Sequence, residues 1–531
     1  MPLSTRRGRL AFVLLLRLGV LLAACGGGSA GAQPFTFAGN AQHTAVYDVP
    51  ARPLNAIHWS APIDLDYNAS VLGHYGAPVI SSGNTLIAPV RLTNGFQATA
   101  FDATTGRLKY TLTTDFITPP YGSKGWFPVY QPVIANPPSG PRLYYAGAGG
   151  TIYYIENIDS DTPSAPVQQC FYTNLPAYAA NAGGSNGFNI TIFVNTPLTA
   201  DSNGVIFFGF RVQHTAPPPI NSSSDGFVRL DPAGTGTYVL AGSAAADNSV
   251  TRDSHNAAPA LSNDGGTLYV PVRGSTNAYL LGLDSVTLTT KFRASLLDPH
   301  SGLPAQVSDN STASPLVGPD GEVFFGVLPN PNADYRGFLL HFSADLLTNK
   351  APGAFGWDNT ACIVPTNMVP SYAGPSPYLL FSKYNNYAGS GGNGVNRVAL
   401  LDPNAGEIDP DSYYPGLTVM REVLTVIGPT PDAAHLSSGH PYAVREWCVN
   451  TAAVNPASQS VVFPSEDGRL YCWNLASNSL IQALPLTTGV GEAYVPTLIG
   501  PDGTVFTING GDLFAVGGLT NLGLAIYSSA P

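Results

Sequence analysis

Side chains able to do chemistry are sparse in this chain. Charged residues make up 11% of its 531 positions, with nine histidines and five cysteines, where an ordinary domain carries about 25% charge. The groups that could act together are acids, amides and aromatics in eight short segments: His74-Tyr75, Tyr130-Gln131, Asn195-Thr196, His255-Asn256, Asp309-Asn310, Asp358-Asn359, Arg445-Glu446-Trp447 and Glu492-Ala493-Tyr494. Each lies just ahead of an apolar run, often marked by proline. If the fold brings those runs to one axis, the segments converge, and convergent polar groups in a concavity make a binding site. The candidate ligand-binding residues are His74, His255, Asp309, Asn310, Asp358, Asn359, Glu446, Trp447, Glu492 and Tyr494. Glu446 and Glu492 come from consecutive segments, so their carboxylates would face one mouth, with Trp447 and Tyr494 as apolar walls. Oxygen donors of this kind suit calcium better than softer metals. The competing expectation is that Arg445 neutralises Glu446 and makes the group a strut.

Catalytic signatures are missing from the sequence. It has no G-x-S-x-G elbow and no H-E-x-x-H pair, and its histidines are scattered, so no catalytic residue is assigned. No cysteine spacing reads as a zinc site. Cys170, Cys362, Cys448 and Cys472 could bridge in an oxidising compartment, and Cys362–Cys448 is the pair expected if one forms. Asp-Gly at 264–265, 320–321, 467–468 and 502–503 fits hairpin turns better than calcium loops, because glycine accepts the positive φ of a tight turn.

The first 25 residues read as an export address. A basic start (Arg6, Arg7, Arg9), an apolar stretch from Leu10 to Leu22 and small residues before Cys25 form the three parts of a secretory signal. The stretch is interrupted by Arg17 and falls short of the roughly 20 apolar residues a spanning helix needs. Leu22-Ala23-Ala24-Cys25 resembles a bacterial lipobox, in which the cysteine thiol is acylated and the chain is cut just before it. Gly26, standing where aspartate would retain the protein, implies the outer membrane. Residues 1–24 are therefore expected to be a signal peptide and 25–54 a lipidated tether, opened by the flexible Gly26-Gly27-Gly28-Ser29, with the membrane met through the lipid anchor only. Formal charge is −11, and the signal carries arginines without acids, so the body is more acidic still. That excludes the basic footprint of a nucleic-acid binder.

The elements that must position the eight segments repeat. A Pro-marked run, a glycine turn and two further runs rich in aromatic and branched residues recur at Ala258-Pro259-Ala260-Leu261, Ser314-Pro315-Leu316-Val317, Thr451-Ala452-Ala453-Val454 and Val495-Pro496-Thr497-Leu498. Weaker copies begin near Pro78, Pro132, Pro197 and Pro370. Many turn formers, many aromatics and few charges favour strands over helices. Eight copies of four short antiparallel strands, stacked radially, make an eight-bladed β-propeller; seven blades with one insertion is the alternative. The last copy has three strands, while Asn55-Ala56-Ile57-His58-Trp59-Ser60 stands alone ahead of the first. That strand is expected to complete the last blade. The all-β propeller would span 55–520, followed by a tail at 521–531.

Ala100-Phe101-Asp102-Ala103-Thr104-Thr105-Gly106-Arg107-Leu108-Lys109-Tyr110 resembles the A-x-D-x-x-x-G-x-x-x-W motif of pyrroloquinoline-quinone-like (quinoprotein-type) propeller repeats, with Tyr where the family has Trp. The resemblance implies that Asp102 and Gly106 form the turn between a blade's third and fourth strands, and that the aromatic docks between blades. Many quinoprotein dehydrogenases of this type place an adjacent cysteine pair over the quinone and hold calcium with Glu and Asn. This chain has no adjacent cysteines, which argues against a quinone cofactor and leaves calcium as the one cofactor to consider. The expected function is an outer-membrane-anchored propeller that binds or scaffolds a protein or glycan partner through its channel mouth or loop face. The alternative is a periplasmic quinoprotein-like oxidoreductase or lyase using the same mouth.

Overall fold

The computed structural model describes residues 35–68, 73–119, 125–126, 131–307, 313–409, 411–489 and 496–518; of 73–74 and 125–126 only the backbone is described. The expected signal peptide at 1–24, Cys25 and the expected tail at 521–531 lie outside these residues. Eight antiparallel sheets follow one another along the chain, which decides for eight blades. In the first blade strands A to D are Val79–Ile80, Thr85–Leu92, Gly95–Asp102 and Leu108–Thr114. Strand A is short because it lines a narrow axis. Strands B and C are buried on both faces and read as continuous apolar runs. Strand D, outermost, alternates between packed and exposed positions. Turn glycines hold the hairpins: Gly265, Gly321, Gly468 and Gly503 all have φ between 70° and 87°.

Not every blade has four strands. Blade 5 pairs only Leu316–Val317, Val323–Val327 and Phe338–Phe342. Its outer place is held by single bridges, Phe342 to Asn349 and Leu339 to Gly353. A long hairpin from blade 6, formed by Arg397–Ile408 and Thr418–Ile427, covers it. Met420 N–H donates to Pro352 O at 2.8 Å, and Tyr414 joins the blade 5 core.

Ring closure follows the sequence. Ile57–Pro62 pairs antiparallel with Asp512–Val516 and completes the eighth blade. Trp59 lies between the last blade and the first, its ring 5.5 Å from Phe101 and 6.0 Å from Phe506. Its Nε1–H donates to Ala103 O at 3.0 Å. Tyr110 makes the same join one blade on, its hydroxyl donating to Ile158 O at 2.6 Å. Gly106 is required twice over: its φ is +73°, and a Cβ there would meet the indole Cγ at 2.6 Å.

The tether expected at 25–54 is corrected from residue 35 onward. Residues 35–47 are packed into the ring, and Phe37, Ala38, His43, Ala45 and Tyr47 are buried. The segment bonds to one inner strand after another in chain order. Phe35 exchanges backbone bonds with Ile134 of blade 2. Ala41 O then accepts from Leu261 N–H of blade 4, Gln42 O from Val317 N–H of blade 5, Thr44 O from Ile363 N–H of blade 6 and Ala45 O from Val454 N–H of blade 7. Gln42 Nε2 reaches Leu261 O and Ser262 O, and Arg52 pairs with Asp502 at 3.0 Å. Ser262 and Asp502 belong to A–B turns, so the segment occupies that end of the channel. It resembles a tether in composition because small and polar residues are what an inner wall leaves room for.

Two outcomes test this architecture. Trp59→Ala should lower unfolding free energy by about 3 kcal/mol, and Trp59→Phe, which keeps the ring but strands Ala103 O, by about 1 kcal/mol, both read by urea denaturation. His43 is fully buried and burial lowers its pKa to about 4, partly offset by its bond to Pro315 O. The unfolded chain protonates this imidazole near its ordinary value of about 6.5. Its contribution to stability is therefore complete above that pH and is lost as pH falls towards 4, by up to about 3 kcal/mol. Replacing His43 with Gln should remove that part of the acid sensitivity, measured as the difference between the two stability–pH curves.

Candidate functional site

Strand direction places the D–A and B–C connections on one face of the ring and the A–B and C–D turns on the other. Of the eight sequence segments, the described residues Tyr75, Gln131, Asn195-Thr196, His255-Asn256, Asp358-Asn359 and Arg445-Glu446-Trp447 lie at or just before the starts of inner strands. What the described members do there is largely structural. Leu198 N–H donates to Gln131 O, Asn256 N–H to Asn195 O, Thr360 N–H to Asn450 O and Thr497 N–H to Thr451 O, all at 3.0–3.1 Å. Ala258 N–H donates to Ser314 Oγ and Ser314 N–H to Thr360 Oγ1, each at 2.9 Å. These bonds run from blade to blade, from the second to the eighth, as a belt at the start of the inner strands. Gln131, Asn195, Thr360, Asn450 and Thr451 are all buried.

The candidate residues divide accordingly. His255 is buried behind the belt, its Nδ1 3.1 Å from Asn195 Oδ1. Asn359 is buried and donates from Nδ2 to Ser382 Oγ at 2.9 Å. Trp447 does not wall the mouth. It is 1% exposed and packs edge-on to Phe463 and Tyr471 inside blade 7, because Asn385 clamps its backbone from both sides. Arg445 pairs with Glu466, its Nη1 3.0 Å from Glu466 Oε1. Asp309, Asn310, Glu492 and Tyr494 lie outside the described residues, as does the side chain of His74. Cys170, Cys362, Cys448 and Cys472 are buried and none is in a disulfide, so the expected Cys362–Cys448 bridge is absent. Cys362 instead meets the backbone of Ala452, and burial pushes its thiol up to about 12.

One acidic corner does assemble. Asp358 and Glu446, from consecutive connections, lie close enough to Tyr387 of the blade 6 B–C loop to act on its hydroxyl. Burial first, then the charges of Glu446 and Asp358, hold that phenol protonated far above its ordinary range, against the bond from Asn385. Asp358 takes a left-handed φ of +52°, an uncommon state for a residue with a Cβ. Beside it, buried Lys383 lies 5.4 Å from the centre of the Phe355 ring. Among the described residues no three His, Cys, Asp or Glu side chains converge as metal ligands.

The surface around this corner carries a feature the sequence reasoning missed. Among the described residues the exposed aromatics are Tyr67, Tyr335, Tyr413 and Tyr442, from 47% to 78% accessible. All four stand on the face of the D–A and B–C connections. Tyr67 and Tyr442 lie in D–A connections, and Tyr335 in the B–C loop of blade 5. Tyr413 arrives there because the blade 6 hairpin bends back. Its tip is pinned by Arg336, which donates to Asp411 O at 2.7 Å and Tyr384 Oη at 2.6 Å, and by Arg397, 2.7 Å from Asp411 Oδ2 and 3.7 Å above the Tyr384 ring. His300 stacks on the neighbouring Tyr414 at 3.8 Å.

No protein-family model matches the sequence, and a search of curated proteins finds no match. Among solved structures, the chain is similar to the quinohemoprotein alcohol dehydrogenase of Comamonas testosteroni, at 11% identity over 92% of this chain and 81% of that one, with a TM-score of 0.52. Sqt1 of Saccharomyces cerevisiae is matched at 10% identity over 89% of this chain and all of its own, with a TM-score of 0.49. At these identities the likeness to the dehydrogenase is one of fold.

The belt makes a sharp prediction. Thr360→Val keeps shape but strands the Ser314 N–H in the core, and should lower unfolding free energy by about 1–3 kcal/mol. Thr360→Ser, which keeps the acceptor, should denature close to the wild type in urea.

Proposed function

We propose that this chain is an exported, lipid-anchored propeller of the outer membrane that binds or scaffolds a protein or glycan partner through its D–A and B–C loop face. The observation that carries this reading is the one-sided distribution of exposed tyrosines. Tyrosine offers a large rigid contact surface with a polar tip and few rotors to immobilise, which is why it concentrates at binding surfaces. Four exposed rings on one face, and none on the other among the described residues, is the asymmetry a binder needs. The belt supports the same reading from the inside, since the amides and hydroxyls of the mouth hold blades together. The partly exposed Glu446 and Tyr387 then act as a rim contact for a cationic or hydrogen-bond-donating part of the partner. The export address supports the anchor, with Cys25 as the acylated residue.

Two measurements test it. A photoactivatable crosslinker placed in cells at Tyr335, Tyr413 or Tyr442 should give discrete adducts, while the same group at Val286 or Leu347, exposed in C–D turns on the opposite face, should not. Equal adducts from both faces, or a quinone absorbance band and a calcium-dependent melting shift in the purified protein, would favour the oxidoreductase alternative. Labelling with an alkyne fatty acid should tag the wild type and not Cys25→Ser; equal labelling would remove the anchor.

A further inference from the structure

The packed segment at 35–47 is built unlike any blade. It forms no continuous ladder with a single neighbour; it touches five blades, most of them through one backbone bond each. Within eight residues it holds three non-glycine positions in the left-handed region, Ala38 at +51°, His43 at +64° and Ala45 at +55°, each of which presses its Cβ against its own backbone. It also buries two polar atoms that have no hydrogen-bond partner among the described residues, His43 Nε2 and Tyr47 Oη. Each of these features is relieved when the segment leaves the channel, because water reaches the orphaned atoms and the backbone relaxes.

Leaving does not require the ring to open. The closing strand Ile57–Pro62 is held by its own ladder to Asp512–Val516, and Arg52 by its pair with Asp502. Between that anchor point and the buried segment, Asp48, Val49 and Pro50 are exposed, which gives a joint outside the core. The bonds lost would be the backbone bonds with Ile134, Leu261, Val317, Ile363 and Val454 and the side-chain bonds of Gln42, His43 and Asn455, whose channel-side partners would meet water.

We propose that residues 35–47 form a displaceable strap, which exits the channel and opens its A–B end while the eight blades and the closing strand stay folded. Where Cys25 is the anchor, which rests on the function proposed above, release would add thirteen residues to the linker, roughly 40 Å of reach at about 3.3 Å per residue. The strap itself is independent of that anchor.

Hydrogen exchange on the full chain, followed by mass spectrometry and run in parallel on Cys25→Ser, tests it. The amides of Leu261, Val317, Ile363 and Val454 should exchange together with those of Ala45 and Tyr47, at least tenfold faster than strand B amides such as Ile87 and Phe506. Exchange of all of them at one common rate would overturn the strap. Ala38→Gly with Ala45→Gly relieves the left-handed strain, so it should slow strap exchange several-fold and leave strand B exchange where it was. An unchanged strap rate in that variant would also overturn it. A strap that exchanges as expected in both proteins, with no fatty-acid label on the wild type, would keep the strap and remove only the anchor.

Discussion

In a propeller each blade packs its faces against its neighbours and leaves its innermost strand edge-on to the axis, so a closed ring of eight blades has eight inner edges. Each strand A turns backbone N–H and C=O groups towards the axis, and a buried polar group without a partner costs about 1–3 kcal/mol. Water can satisfy these groups in a wide channel; here the chain supplies partners of its own. At the A–B end the segment at 35–47 runs round the wall and accepts from Leu261, Val317, Ile363 and Val454. At the other end the belt through Asn256, Ser314, Thr360 and Thr497 does the same between blades. The inner wall is thus satisfied from both ends, by the belt within the ring and by the segment laid against it.

That arrangement bears on what the protein can do. A propeller that catalyses at its axis needs free polar groups around an open cavity. In this chain the described polar side chains at the starts of the inner strands are mostly buried, and the segment at 35–47 occupies the other end of the channel. On the loop face, Arg336, Arg397 and Tyr384 stiffen a hairpin that belongs to blade 6 but lies over blade 5. Buried ion clusters of that kind contribute more to a defined conformation than to net stability. Their effect here is to hold the hairpin tip, and with it Tyr413, against the loops of blades 4 and 5.

Much of the fold was legible because its signals are local. Asp-Gly turns, branched runs and the recurring proline gave the blade count, and the orphan strand around Trp59 could be assigned by counting strands. The motif from Ala100 to Tyr110 foretold that an aromatic docks between blades, which Tyr110 and Trp59 both do. The segment at 35–47 was not legible. It has no period, and its Ala, Gly, His and Thr residues look like a continuation of the Gly-rich spacer. Its partners are contributed one at a time from positions up to about 410 residues away. Trp447 failed for a related reason: its neighbour Glu446 is polar, but Asn385, remote in sequence, captures the backbone and turns the indole inward.

The mouth residues carry a more general point about reading sites from sequence. A ring of amides and hydroxyls at the start of successive inner strands is what a ligand site would look like, and also what a hydrogen-bonded belt would look like. The two differ in where the atoms point, which spacing does not reveal. Exposed tyrosines are different, since their signal is the lack of anything covering them. No pattern in the sequence distinguishes Tyr413, half exposed, from the adjacent Tyr414, buried against blade 5; the bent hairpin decides which ring faces out. In a chain with so few charges, such rings are among the strongest adhesive groups its surface offers. Their placement on one face therefore weighs more in assigning the binding surface than the polar ring that spacing alone would have chosen.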